Sequence, residues 1–192
     1  MNMEEKLLLN NYLETERLYL RPVTIEDAED MYEYTSDPET VKYMFEVHHN
    51  LDDTKREILN YFVKEPIGKW GIVLKKTGKF IGNDEIHLDT HNLSAEIGYA
   101  IGRKFWGNGY APEVATQILE LGFDEMGLKR MYALYCVDNK KSSRVLEKIG
   151  MQKEGVLRNH SQLEGKTVND GVYAMTDEDW QKLQRIGEAF QL

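Results

Sequence analysis

Residues 102–123, GRKFWGNGYAPEVATQILELGF, contain the clearest candidate for a ligand site. Gly107 and Gly109 stand one residue apart, and Pro112 opens an amphipathic run. Glycine lets a backbone approach a ligand closely, and proline suits a first helical turn because the N–H it lacks would be unpaired there. The positive end of the helix dipole adds to this. The segment therefore predicts an anion-binding turn, and its donors would be the backbone N–H groups of Gly107, Asn108, Gly109, Tyr110 and Ala111.

Glycines before a helix also occur in turns that only serve packing, and two other glycine-containing motifs bind nucleotides. A dinucleotide-binding fingerprint requires a third glycine where Pro112 stands. A P-loop requires a glycine where HSQLEGKT has His160. Neither of these two nucleotide-binding motifs is present in its full form.

The elements that must position this turn follow from the periodicity of apolar residues. ERLYLRPV alternates like a strand, Thr24 and Asp27 form a capping box before a helix that runs to about Tyr34, and Asp52 to Phe62 has helical spacing. WGIVLKK and FIGNDEIHL predict a hairpin, and SAEIGYAIG predicts a third strand that ends at the glycine segment.

The second half of the chain continues the alternation of strands and helices. A helix over 110–126 precedes the strand RMYALYCV, the capped helix DNKKSSRVLEKIG, a final hairpin and a last helix from Thr176 or Asp177. This order predicts a mixed α/β domain around one sheet. We expect a loose N-terminal extension over residues 1–13 and a single domain over residues 14–192.

Composition limits the classes of ligand. The chain has 192 residues and a formal net charge of -9, which argues against nucleic acid and favours cationic substrates, or serves solubility alone. Cys136 is the only cysteine, which excludes an intramolecular disulfide and predicts a cytoplasmic protein with a buried structural thiol. The N-terminal sequence lacks a basic start and a long apolar run, so no membrane association is expected.

Two separated segments, AEIGYAIGRKFWGNGYAPEVATQILELGF and NKKSSRVLEKIGM, resemble the acetyl-CoA-binding core of the GNAT superfamily of N-acetyltransferases. The similarity is greatest to the Rim-type branch, which acetylates the N-termini of ribosomal proteins and includes relatives that act on small amines. ETERLYLRPVTIEDAEDMY and GVYAMTDEDW resemble the opening and closing elements of that branch. The resemblance implies an α/β (α+β) fold, with one mixed, mostly antiparallel sheet of about six to seven strands that is flanked by helices and splayed at the acetyl-CoA site.

The resemblance also implies the residues that hold acetyl-CoA. Lys104 takes the place where the superfamily's pyrophosphate loop has Gln or Arg, and the pantetheine arm would pair with the end of the third strand. The implied cofactor-binding residues are Tyr99, Ala100, Ile101, Arg103, Lys104, Gly107, Asn108, Gly109, Tyr110, Ala111, Asn139 and Ser142.

Acetyl transfer to an amine needs a base, because an alkyl amine is mostly protonated at neutral pH. Glu96 matches the catalytic glutamate of some superfamily members and is the first choice. The alternatives are Glu85, which with Asp84 can instead form an acidic lining for a cationic substrate, His160, and water.

The general acid is equally open. Leu146 stands where many members carry a catalytic tyrosine, which leaves Ser142 or water to protonate the thiolate. Ser161 stands about where the Rim-type branch can carry a glutamate, so the acceptor does not follow from the branch.

The expected activity is direct transfer of an acetyl group from acetyl-CoA to a primary amine, including a protein N-terminal amine, in a ternary complex. The alternatives are a small-amine, amino-acid or antibiotic acetyltransferase of the same fold, or an acyl-CoA-binding module without turnover. No metal is expected, since His48 with His49 and His87 with His91 lack partners at ligand spacing. Monomer and homodimer both stay open.

Overall fold

A computed structural model, which describes residues 1–189, arranges the chain around a single sheet of eight strands. The strands are β1 (Leu13–Glu14), β2 (Leu18–Arg21), β3 (Lys69–Leu74), β4 (Phe80–Asp89), β5 (Ser94–Ile101), β6 (Arg130–Cys136), β7 (Gln152–Leu163) and β8 (Lys166–Thr176). Their order across the sheet is β1-β2-β3-β4-β5-β6-β8-β7. The mixed α/β fold is thus confirmed. The sheet has eight strands, one more than the expected six to seven, because it includes β1, a strand of only two residues.

The helices connect the strands and cover the sheet. They are α1 (Met3–Leu9), α2 (Ala28–Thr35), α3 (Pro38–Val41), α4 (Leu51–Glu57), α5 (Tyr110–Glu120), α6 (Lys140–Lys148) and α7 (Asp177–Ala189). A wider π-helical turn extends α4 over Ile58–Val63, and another extends α5 over Leu121–Glu125. None of the helices within residues 1–189 combines the length and the apolar character needed to cross a membrane.

The sheet has two faces with separate apolar clusters. On the first face, Ile97 and Met131 of the sheet pack with Ile118 of α5 and Leu146 of α6. On the second face, Phe80 and Ala100 pack with side chains of α2 and of the π-helical turn after α4, including Met31, Tyr34, Ile58 and Phe62. Helices α5, α6 and α7 therefore lie on the first face together with α1, whose Leu7 belongs to the same cluster, whereas α2 and α4 with its π-helical extension lie on the second face.

Within residues 1–189, β5 and β6 are the only neighbouring strands that run parallel, and they pair over a short stretch. The paired residues are Ser94 with Arg130, Ala95 with Met131, and Glu96 with Tyr132. β5 continues to Ile101 and β6 to Cys136 without further pairing between them. The sheet therefore has an opening, which we define by residues 97–101 of β5 and 133–136 of β6. The glycine segment begins at the open end of this gap.

The N-terminal segment differs from the expected loose extension. Asn2 and Glu5 form a capping box on α1, Leu7 is buried against the sheet, and the indole N–H of Trp70 donates to the carbonyl oxygen of Asn10 at 3.2 Å. A single buried leucine in a short helix is too weak a pattern to identify from sequence. The predicted domain ends at residue 192, and residues 190–192 lie outside the described residues.

Candidate active site

The glycine turn has the geometry of an anion cradle. Gly107 and Gly109 adopt left-handed backbone conformations, with φ of 78° and 79°, that side chains other than glycine rarely take. Within the described residues, the backbone N–H groups of residues 107–111, which end in the first turn of α5, donate no hydrogen bond to protein atoms. Unpaired N–H groups at a helix N-terminus attract anions, because the helix dipole adds positive potential there. A Cβ built at Gly107 would meet no atom within 4 Å, so the turn has room for a ligand.

Arg17, which precedes β2, holds the glycine turn in place. Its Nη1 donates to the carbonyl oxygen of Asn108 at 2.8 Å, and its Nε donates to Oε2 of Glu113 on α5 at 2.6 Å. The guanidinium also lies 4.6 Å from the centre of the Tyr110 ring. Arg17 therefore adds a positive charge beside the cradle. Sequence reasoning missed this residue, because 91 positions separate it from Asn108 and no local motif marks it.

The two predicted basic residues before the turn contact acidic side chains. Nζ of Lys104 lies 3.0 Å from Glu33 of α2, and Nε of Arg103 lies 2.9 Å from Asp37. Hydrogen bonds from Lys79 and Lys104 lower the pKa of Glu33, which favours its charged form. Both predicted cations are therefore anchored to the α2–α3 region in this structure, although each side chain is largely exposed.

Trp106 braces the turn from the other side. Its indole N–H donates to the carbonyl oxygen of Ile101 at 2.6 Å. Nζ of Lys141, on α6, lies 3.8 Å from the centre of the Trp106 ring. This cation–π contact joins the glycine segment to α6 beside the opening, so Lys141 is a further cation near the predicted phosphate position.

Tyr99 and Ser142 face each other from β5 and α6. The Tyr99 hydroxyl lies 3.4 Å from both Oγ and the carbonyl oxygen of Ser142. Burial raises the pKa of Tyr99 to about 12, so its hydroxyl keeps a proton at neutral pH. Asn139 caps α6 by accepting a hydrogen bond from the backbone N–H of Ser142 at 3.2 Å. Leu146 is fully buried in the core and has no hydroxyl, whereas Tyr99 and Ser142 bring two hydroxyls to the opening.

A polar cluster lies on the second face of the sheet, next to Gly98. Glu85 of β4 accepts a hydrogen bond from the Tyr61 hydroxyl at 2.5 Å and lies 3.5 Å from Nε2 of His87. Burial disfavours the charged form of Glu85, but hydrogen bonds from His87 and Tyr61 outweigh it and lower the pKa of Glu85. A Cβ on Gly98 would lie 3.1 Å from the Glu85 carboxylate, so the glycine leaves space above this group. Sequence reasoning assigned no role to His87 or Tyr61.

Glu96 lies on the same face, at the closed end of the opening. It is the Cα partner of His87 in β4 and of Tyr132 in β6. Burial and then the nearby Glu96 charge raise the pKa of Tyr132. The predicted base is thus half-buried beside two polar rings, and the role itself stays a prediction.

Asp84 does not belong to the acidic lining that the sequence predicts. It is opposite Trp70 and Tyr99 on the first face, and only 1% of it is exposed. Burial raises the pKa of Asp84 well above its ordinary value, and Oδ2 has no hydrogen-bond partner within the described residues. Neighbouring strand residues point to opposite faces, which explains why Asp84 and Glu85 are separated.

His160, the third candidate base, also lies on the second face, where Nδ1 is 2.9 Å from Oδ2 of Asp170. Cys136 is buried, as expected, at the end of β6. No group of three or more metal-ligating side chains occurs in the part of the chain that the structure describes.

The site combines an anion cradle, a gap in the sheet beside it and a polar cluster on the second face. This combination suits a protein that binds an extended acyl carrier. The sequence pattern described as "Acetyltransferase (GNAT) domain" matches residues 17–152. The chain belongs to the GNAT acetyltransferase family. The "Uncharacterized N-acetyltransferase YoaA" of Bacillus subtilis is 36% identical over 169 residues, which cover 85% of this chain and 95% of that protein. A crystal structure described as an acetyltransferase (GNAT family) from Bacillus anthracis is 30% identical, with a TM-score of 0.78 over 87% of this chain and 99% of that one.

The finer assignment to the Rim-type branch is not confirmed. The "[Ribosomal protein uS5]-alanine N-acetyltransferase" of Escherichia coli is 30% identical over only 84 residues, which cover 44% of this chain. Three Bacillus relatives that are 31% to 36% identical over at least 85% of this chain carry no substrate in their names. The acceptor must therefore be inferred from the site.

Proposed function

We propose that this GNAT protein moves an acetyl group from acetyl-CoA to a cationic primary amine by direct transfer in a ternary complex. The observation that carries the proposal is the opening between β5 and β6. It connects the glycine turn with the second face, where Glu85 and Glu96 lie. A thioester that enters the gap would meet an amine that arrives from the opposite face.

The donor side has the groups that acetyl-CoA requires. The free N–H groups of residues 107–111 and the Arg17 guanidinium suit the pyrophosphate. The unpaired backbone edges of β5 and β6 suit the amide groups of the pantetheine arm, which would hydrogen-bond as an added strand. Ser142 with Tyr99 is positioned to return a proton to the sulfur of the departing CoA.

The acceptor side favours an ammonium group. Glu85 keeps a lowered pKa and is thus ionised at neutral pH, so it attracts a cation while Gly98 leaves space for it. Glu96 is the proton acceptor that the family resemblance predicts. Both a protein N-terminal amine and a small amine satisfy these requirements, and an antibiotic or amino-acid acceptor would satisfy them equally.

Replacing Glu96 by Gln tests that assignment. The amide keeps the shape of the side chain but cannot accept the proton, so kcat should fall by about 10²-fold or more while acetyl-CoA binding stays the same. Steady-state CoA release and the acetyl-CoA-induced shift in Tm measure the two effects. Wild-type turnover in E96Q would remove Glu96 from the mechanism.

The overall activity is tested by CoA-thiol release with a panel of spermidine, L-lysine, tyramine and peptides that begin with Ala or Ser. Acetyl-CoA at about one hundred times its Kd should stabilise the fold by roughly 2.7 kcal/mol. Release with one class of amine identifies the acceptor. A thermal shift without release across the panel would favour the acyl-CoA-binding module, and the absence of any shift would contradict both.

A further inference from the structure

The geometry points to a second proton-accepting device for this reaction: His160, held by Asp170, takes a proton from the acceptor ammonium. This inference rests on the proposed acetyl transfer. It concerns the wall of the second face that β6, β8 and β7 form, across the opening from Glu85 and Glu96.

The pair has the arrangement of an oriented base. Oδ2 of Asp170 lies 2.9 Å from Nδ1 of His160 and also accepts a hydrogen bond from the Ser161 hydroxyl. The Asp170 side chain is 7% exposed, whereas that of His160 is 43% exposed. Because a carboxylate only accepts hydrogen bonds, Nδ1 carries the ring proton, and the lone pair lies on Nε2. Nε2 is the ring nitrogen that Asp170 leaves free to accept a proton.

An irregularity in the β7–β8 hairpin places His160 on this carboxylate. Leu157 pairs with Asp170 and Ser161 pairs with Val168, so β7 has more residues than β8 between these two positions. Asn159 absorbs the excess with a left-handed φ of 52°, and its backbone N–H donates to Oδ1 of Asn169 at 2.8 Å. Bulges of this kind redirect a side chain relative to a regular strand.

The pair faces the surface on which the amine would arrive. Asp170 is the Cα partner of Cys136, the last residue of β6, at the wide end of the opening. Residues of β8 alternate between the two faces, so Asp170 shares its face with Val172 and Ala174. Ala174 is the Cα partner of Tyr132, which lies on the second face. Tyr132 and Val172 stay partly exposed, in contrast to the first face, which α5, α6 and α7 cover.

Ser142, which is placed to protonate the departing thiolate, is also joined to this end of the opening. Asn139, which caps α6, donates its backbone N–H to the carbonyl oxygen of Cys136 at 2.8 Å, and Ser142 lies in the first turn of that helix. Glu96 lies at the closed end, where β5 and β6 still pair. Asp170 and His160 thus lie beside the Ser142 end of the gap, and Glu96 lies at the other end.

Acetyl transfer to an ammonium group requires a base, because the nitrogen must lose protons. The overall change is R–NH3+ plus acetyl-CoA to R–NH–COCH3, CoA–SH and H+. Nε2 takes one proton from the ammonium, and the freed nitrogen lone pair forms the N–C bond at the acetyl carbonyl. The C–S bond then breaks with its electron pair left on sulfur. A second proton leaves the nitrogen for Glu96. The thiolate gains a proton from the Ser142 hydroxyl, which is re-protonated from solvent. His160 and Glu96 each return one proton to solvent, so one H+ is released overall.

Full-length H160A, with H160Q and D170N beside it, tests this assignment. The matched control is H91A, which alters an exposed histidine in the β4–β5 turn, at the end of β5 opposite the open end. Each variant is assayed at pH 7 with saturating acetyl-CoA and the fastest amine of the panel above, with and without added imidazole. The acetyl-CoA-induced shift in Tm shows that each variant is folded and binds the donor.

We expect kcat of H160A and H160Q to fall by about 10²-fold or more, and imidazole to restore part of the rate of H160A only. D170N should lower kcat with KM unchanged, because the ring loses its fixed orientation, and H91A should match the wild type. H160A and H160Q within threefold of wild-type kcat, or a loss in H160A that imidazole does not reverse, would overturn the assignment. If H160A fails to fold, an unchanged kcat in H160Q would by itself overturn the assignment. A wild-type protein that releases no CoA with any amine would instead refute the proposed function itself.

Discussion

Substituting alanine for Gly107 separates the binding role of the glycine turn from its conformational role. The residue has a φ of 78°, and a Cβ at this position would meet no protein atom within 4 Å. The methyl group would therefore cause no clash in the free protein. It would project into the space where the phosphates are expected.

The cost to the fold follows from the backbone alone. A left-handed conformation costs an L-residue roughly 1–2 kcal/mol, and the lower entropy of the unfolded alanine chain offsets about 0.4–1 kcal/mol of that. We therefore expect the free energy of unfolding to fall by about 1 kcal/mol, which corresponds to a decrease in Tm of roughly 2–4 °C for a chain of this size. Losing one hydrogen bond from a backbone N–H to a charged phosphate costs about 1.5–3 kcal/mol, so Kd for acetyl-CoA should rise roughly 10- to 100-fold.

Gly127 offers a matched control. It has a φ of 75° and likewise has no atom within 4 Å of a built Cβ. It follows the far end of α5 and its π-helical extension, roughly 25 Å from the glycine turn at about 1.5 Å per helical residue. G127A should thus have the same loss in Tm as G107A and the acetyl-CoA affinity of the wild type.

Thermal unfolding without ligand gives the first quantity, and isothermal titration with acetyl-CoA gives the second. If G107A and G127A lose similar stability and G107A still binds acetyl-CoA within twofold of the wild type, the turn is not the phosphate cradle.

Two further predictions concern charged groups on the first face and at the turn. R17A should raise Kd for acetyl-CoA about fivefold to tenfold. It should lower the free energy of unfolding by no more than about 1 kcal/mol, because the lost ion pair with Glu113 is partly exposed. A wild-type Kd in calorimetric titration would show that Arg17 does not contribute to acetyl-CoA binding at the turn. Burial raises the pKa of Asp84, so its contribution to stability is complete below about pH 4 and is lost as pH rises through the raised folded pKa. The free energy of unfolding of D84N in urea should therefore increase relative to that of the wild type as the pH is raised from 5 to 8. An equal difference between the two proteins at pH 5 and at pH 8 would show that Asp84 titrates normally.

The strand pattern indicates which residues alternate, but it does not identify the face on which each lies. Asp84 and Glu85 look equivalent in GNDEIHL, yet one is buried against Trp70 and the other lies beside Gly98 on the second face. A register shift between Ile72 and Val73 against β4 helps set this phase. The face of a residue therefore depends on how neighbouring strands pair, which is a property of the assembled sheet.

The same limit applies to His160. In the sequence it is one histidine in a polar hairpin, and Asp170 lies ten positions away. Their contact requires the bulge at Asn159, which no local pattern in RNHSQL predicts. Arg17 is a stronger example, since its hydrogen bond to Asn108 joins distant parts of the chain through the packing of α5 against the start of β2.

The sequence by itself determined the parts whose physics is local: the glycine turn before α5, the cap of α6 at Asn139, the alternation of strands and helices and, through two spaced motifs, the GNAT family. These depend on backbone conformation and hydrogen bonds within a few residues. Tertiary structure alone decided which cations lie at the turn, which carboxylates share the second face, and that Tyr99 meets Ser142 across the opening. Such contacts form only when strands pair in one register and helices pack on one face, because only packing brings together residues that are distant in the chain.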